Sequence, residues 1–310
     1  MRVLVLGASG FVGSRITAAL AATNWATPIA GVRRAVKGKH IVLDASRTED
    51  LRDAMKEADA VVNCVAADAE TITANASALF TAGDGSGKHI VHLSSMAVYG
   101  SQTGTVTETS SLLGDTGPYA EAKKQAEMMS EACATRVTLF RPGIIYGSRS
   151  PQWTLRIAKL LGEKRIGDMG AAGDGWCNLV HVQDVIHAVF SALQQGQERR
   201  HRAYNLAMPD APDWNAYFIA MAKAMGATPV RRVTARRLKV ETKLLAIPLK
   251  IAEKLSGDRL PPAITPGLAR AWRQNMRLDS TRATQELSMS WMPLSEGISE
   301  AVAGLNVRRN

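Results

Sequence analysis

The chain has 310 residues and a formal charge of +10, from 38 lysines and arginines against 28 acids. With 46% hydrophobic and 21% charged residues, it is not a disordered, collagen-like or coiled-coil protein, and its length fits one large domain or two coupled ones. No run of about 18 uncharged apolar residues occurs, which argues against a transmembrane helix. The three scattered cysteines, Cys64, Cys133 and Cys177, fit a reducing cytoplasm rather than a disulfide framework or a zinc site.

The first residues mimic a signal peptide, with a positive charge before an apolar run. Regularly spaced glycines and the lack of a small-residue cleavage site favour a strand and turn instead. Residues 3–6 read as that strand and 13–22 as the helix after it. Strands at 28–32 and 40–43 follow, then a helix at 49–57. A run of successive apolar residues at 60–65 predicts a buried strand. A helix at 69–81, a strand at 89–93, a long helix at 119–134 and a strand at 137–140 complete the first half. This alternation predicts an α/β protein with a Rossmann-type doubly wound parallel sheet, its ligands at the carboxyl ends of the strands.

After Gly147 the rhythm breaks. Helices are expected at 154–161 and 185–194, a loop at 167–175 and a short strand at 203–206. From Asp213 the chain reads as mostly helical, with loops at Pro229 and 260–266. The division that follows is a dinucleotide-binding domain over 1–150, rejoined by 176–206. A smaller, mostly helical substrate-binding domain over 151–175 and 207–310 is interleaved with it. Nine basic and three acidic residues crowd between Arg231 and Arg259, supplying +6 of the net charge. They read as a solvated helix face, a lid for an anionic substrate, or a membrane-surface contact. Pro248 is expected to split 238–255 into two short helices forming a pocket wall or lid. No aromatic interleaving, helix-turn-helix or zinc pattern points to nucleic acid as a partner.

Gly7-Ala8-Ser9-Gly10-Phe11-Val12-Gly13 follows the first strand and opens the first helix. Gly7 permits the tight turn, Gly10 lets backbone approach a pyrophosphate, and Gly13 lets helix and strand pack closely. Ser9, Phe11 and Val12 then offer backbone at the helix N-terminus to phosphates. The second strand ends Gly31-Val32-Arg33-Arg34 without a carboxylate. A guanidinium there pairs with a 2′-phosphate, so Arg33 favours NADP(H) over the alternative NAD(H). Asp44, with Ala45, is placed to reach the adenine.

Tyr119 and Lys123 stand four apart in a predicted helix and so share one face. The ammonium is expected to lower the phenol pKa and make Tyr119 a general acid and base. Ser94-Ser95 follows the strand at 89–93, where a hydroxyl can bond the reacting oxygen. Met96 and Tyr99 continue into the presumed pocket. Six dispersed histidines without clustered carboxylates give no metal site. Most of the twelve methionines and the tryptophans read as packing.

The chain resembles the extended short-chain dehydrogenase/reductases of the NAD-dependent epimerase/dehydratase superfamily. The matching pieces are Gly7-x-x-Gly10-x-x-Gly13, Ser94-Ser95-x-x-Val98-Tyr99-Gly100, Tyr119-x-x-x-Lys123, Arg141-Pro142-Gly143-Ile144-Ile145-Tyr146-Gly147, Val180-His181-Val182-x-Asp184-Val185 and Asp279-Ser280-Thr281-x-Ala283. The resemblance implies Ser95, Tyr119 and Lys123 as the catalytic set, with Lys123 also on the nicotinamide ribose. It implies Pro142 beside the nicotinamide and Val65-Ala66-Ala67 on the adenosine side. Asn75 matches the family asparagine, though Ala78-Leu79 replaces the usual Gly-Thr. Tyr146 and Trp176 join Met96 and Tyr99 as expected substrate contacts. Gly173-Asp174-Gly175 lacks the arginine that pairs substrate phosphate in nucleotide-sugar enzymes.

The expected function is therefore an NADP(H)-dependent oxidoreductase interconverting a carbonyl and an alcohol on a small, apolar substrate. The alternative is a sugar or nucleotide-sugar epimerase or dehydratase with tightly bound cofactor. A non-catalytic nucleotide sensor is disfavoured by the complete Ser-Tyr-Lys set. A homodimer through the helices before and containing Tyr119 is expected by analogy alone.

Overall fold

The structure, a computed structural model, describes residues 1–195, 200–256 and 262–306. The first half is an alternation of strands and helices: β1 (Arg2–Leu6), α1 (Phe11–Ala21), β2 (Thr27–Val32), β3 (Ile41–Val42), α2 (Thr48–Lys56), β4 (Ala60–Asn63), α3 (Ala69–Gly83) and β5 (His89–Leu93). β6 (Gly104–Val106), α4 (Pro118–Ala132), β7 (Val137–Pro142) and β8 (Ile144–Tyr146) come next. α5 (Arg156–Gly162), β9 (Leu179–His181), α6 (Val182–Gln194), β10 (His201–Leu206) and α7 (Trp214–Ala224) follow. The last stretch carries α8 (Ala235–Val240), α9 (Ala246–Ser256), α10 (Pro266–Ala271), β11 (Met276–Leu278), α11 (Thr281–Glu286) and α12 (Leu294–Asn306).

Among the described residues, seven strands form a parallel sheet in the order β10-β7-β5-β4-β1-β2-β3. Strand order reverses between β1 and β4, which opens a crevice at their carboxyl ends. β4, β5 and β7 are buried along their whole length, as expected for strands covered by helices on both faces. One apolar cluster, with Val3, Val5 and Ile16, packs on one face, and another, with Leu4, Leu6 and Leu79, on the other. A third core gathers Trp214, Tyr217, Phe218 and Trp272 around α5 and α7. Met221 is buried there, as packing.

Several boundaries differ from the sequence reading. The strand expected at 40–43 pairs only over Ile41–Val42. α4 starts at Pro118, a position whose missing N–H has no helical partner to lose. α6 starts three residues early because His181 and Asp184 form a capping box. The break expected at Pro248 is absent: α9 runs through it, preceded by a wide π-helical turn over Glu241–Leu245. That wider turn shifts the hydrogen-bond register ahead of the proline and eases the ring's clash with the preceding carbonyls. Of the loop expected at 260–266 and the basic stretch ending at 259, residues 257–261 lie outside the described residues.

A buried ion pair ties α4 to β7. Glu127 accepts from Arg141 Nη2 at 2.6 Å and from Nε at 3.0 Å, and both side chains are nearly inaccessible. Arg141 Nη1 also donates to the Tyr99 hydroxyl at 2.9 Å, which donates to Asn205 Oδ1 at 2.6 Å. Ser94 donates to the same carboxylate. Removing one partner leaves a buried charge uncompensated, at a cost of about 3–5 kcal/mol. Glu127→Ala is thus expected to lose about that much stability in urea unfolding; a loss below about 1 kcal/mol would contradict this account of the pair.

Candidate active site

The glycine turn is built for close approach. Gly7 has φ +71°, a left-handed conformation, and a β-carbon on Gly13 would lie 2.3 Å from the Gly7 carbonyl oxygen. No side chain caps the N-terminus of α1 at Gly10, so its first amides are left to a ligand. This cradle fits the pyrophosphate of a dinucleotide.

A cleft of about 1250 Å³ runs along the carboxyl ends of the strands from this turn. Gly7, Ser9, Gly10, Phe11 and Val12 line it at the turn. Arg33, Asp44, Ala45, Val65, Ala66 and Ala67 line the expected adenosine end. Asp44 is fixed by Ser46, whose N–H and Oγ donate to Oδ1 at 2.9 and 2.6 Å, and these bonds hold its carboxyl below the usual range. Asn75 is spent on bracing: it accepts from Asn63 Nδ2 and donates to the Ala45 carbonyl, both at 2.8 Å.

Ser95, Tyr119, Lys123 and Pro142 all line this cleft, and Tyr119 and Ser95 share a hydrogen bond. Lys123 is 2% exposed, and its ammonium donates to the Leu93 carbonyl oxygen at 2.8 Å. Burial lowers its pKa to about 8, opposed by the Glu127 charge. The Tyr119 pKa is raised, not lowered by this ammonium as its helical spacing suggests. Desolvation raises the phenol pKa, and the hydrogen bond with Ser95 works against it. Lys123 faces the strand carbonyl instead. Tyr119 as a whole still keeps 42% of its surface exposed, at the mouth of the cleft.

Met96, Thr116, Gln152, Trp153, Arg270 and Gln274 line the same cleft. The other expected substrate contacts are corrected. Tyr99 is fully buried in the Arg141 network. Tyr146 is fully buried against His181 and Gly297. Trp176 lies under the Arg277 guanidinium, 5.0 Å from its ring centroid. None of these three lines the cleft, because each belongs to packing made by distant parts of the chain. The lid expected from the basic segment is also corrected: among the described residues, none of 231–256 lines the cleft. Arg270 and Gln274 escape the sequence reading because α10 and the turn after it reach the cleft only through tertiary packing.

The sequence profile of the NAD dependent epimerase/dehydratase family matches residues 3–207. The chain belongs to that family. No curated protein matches it in sequence. Among solved structures, this family member is similar to MoeE5 in complex with UDP-glucose and NAD, at 20% identity and a TM-score of 0.75 over 100% of both chains. It is also similar to the UDP-glucose 4-epimerase of Thermotoga maritima, at 17% identity and a TM-score of 0.75 over 100% of both chains. A third is the UDP-glucuronic acid 4-epimerase of Bacillus cereus with UDP-glucuronic acid and NAD, at 17% identity and a TM-score of 0.75, covering 99% of this chain and 100% of that one. At these identities the likeness establishes the extended short-chain dehydrogenase/reductase fold.

The lowered Lys123 pKa has a consequence for stability. From about 8 to its ordinary 10.5, the unfolded chain holds a proton that the folded chain has released. Stability therefore rises with pH across that window, by at most about 1.4 kcal/mol per unit from this group. Urea unfolding of the wild type and Lys123→Met is expected to show the wild type gaining on the variant as pH rises through the window. Parallel profiles would contradict it.

Proposed function

We propose that the chain is an NAD(P)-dependent epimerase or dehydratase acting on the sugar of a nucleotide-activated substrate. The observation that carries this reading is a cation, Arg270, in a cleft large enough for two ligands. The cleft's volume of about 1250 Å³ exceeds the roughly 300–1,000 Å³ of single-ligand pockets, giving room for a dinucleotide and a second ligand. Arg270 also lines this cleft, and a guanidinium suits a diphosphate. It supplies from α10 the cation that Gly173-Asp174-Gly175 lacks. The UDP-sugars named for the similar structures agree with this reading.

The bound dinucleotide supplies a hydride acceptor and donor. Tyr119 exchanges a proton with the substrate's reacting oxygen, and Ser95 holds that oxygen by a hydrogen bond. Lys123 anchors the nicotinamide ribose from the floor of the cleft. Pro142 closes the wall beside the ring. Tyr119→Phe is expected to lower turnover by about 10²–10⁴ while dinucleotide affinity, measured by calorimetry, survives. Unchanged turnover would remove Tyr119 from the mechanism.

A second reading, an NADP(H)-dependent carbonyl reductase, is favoured by Arg33 at the adenosine end. The MoeE5 and Bacillus cereus structures are NAD complexes, so the NADP(H) preference rests on Arg33 alone. Arg33→Ser is expected to weaken NADPH at least about tenfold while changing NADH by less than about twofold. Equal losses for both would remove the 2′-phosphate contact. The two readings separate on cofactor use: the epimerase or dehydratase turns over without net change in nicotinamide absorbance, whereas the reductase consumes one NADPH per product.

A further inference from the structure

We propose that the arm running from α8 to α9 docks the protein on an anionic phospholipid surface. Val240, Leu244, Ile247 and Ile251 follow helical spacing, and they are 40%, 68%, 70% and 56% exposed. Leu245 beside them is 40% exposed. Of the eleven large hydrophobic side chains exposed among the described residues, five fall in this short stretch, a concentration that scattered surface hydrophobics do not produce.

The arm is anchored on its other side. Leu238, Glu241 and Ala246 are buried, and Glu241 is ion-paired with the buried Arg165, which also donates to the Pro262 carbonyl at 2.9 Å. The exposed apolar side is thus the outer face of a held helix. Glu241 is the sole acid between Ala235 and Ile251 in the sequence, and it is turned inward. Arg236, Lys239, Lys243 and Lys250 are exposed and carry no ion-pair partner among the described residues. Aliphatic side chains flanked by such cations suit the boundary between acyl chains and acidic headgroups.

Charge decides among occupants. A second copy would set one cationic face against another, on chains already at +10. Protein interfaces are enriched in aromatics and depleted in lysine, whereas this stripe is aliphatic and lysine-flanked. No described helix is long and apolar enough to cross a membrane, so the contact is interfacial. The arm packs beside α10, the helix that brings Arg270 to the cleft.

The test is flotation of the full chain with vesicles of phosphatidylcholine and phosphatidylglycerol, against vesicles of phosphatidylcholine alone. The expected result is binding to the anionic vesicles only, reversed by high salt. The double variant Leu244→Glu/Ile247→Glu is expected to bind at least about tenfold less, with unchanged circular dichroism and Tm. Lys239→Glu/Lys243→Glu, on the cationic flank, is expected to do the same. No binding to anionic vesicles, or equal binding by the apolar double variant, would overturn the proposal. So would a dimer, seen by light scattering, that the double variant converts to a monomer without any lipid binding.

Discussion

Lys123 and Glu127 stand one helical turn apart on α4, both buried, and each reaches the carboxyl end of the central sheet. The ammonium meets the Leu93 carbonyl, while the carboxylate joins Ser94 and Arg141. These contacts fix the height and rotation of α4 against β5 and β7. Tyr119, one turn before Lys123, is thereby held at the cleft beside Ser95. Without that clamp the phenol, exposed at the mouth, would have no fixed place relative to the glycine turn after β1.

The same burial shapes the chemistry. Lys123 is easier to deprotonate than a free lysine because its charge is desolvated. Tyr119 is harder to ionise, and Ser95 opposes that shift. The pair therefore holds its protons differently from the simple picture of an ammonium acidifying a phenol. The hydrogen bond with Ser95 is the local interaction that favours phenolate.

Local spacing makes part of this legible in the sequence. Gly7, Gly10 and Gly13 answer to one turn and one helix start, and Tyr119 and Lys123 to one helical face. Tyr99, Tyr146 and Trp176 mislead because their surroundings come from far along the chain: Asn205, Gly297 and Arg277. Arg270 stays hidden for the same reason. Pro248 misleads because the wide turn ahead of it absorbs what a proline ordinarily breaks. Charge alone leaves the basic segment open between lid and surface, and the burial of Glu241 is what separates its two faces.

The most direct test of the central claim is a crystal structure of the chain with a nicotinamide dinucleotide. The pyrophosphate is expected over Gly7–Gly10 and the nicotinamide between Pro142 and Tyr119, with Lys123 on its ribose. A dinucleotide bound elsewhere, or with its nicotinamide turned away from Tyr119, would contradict it.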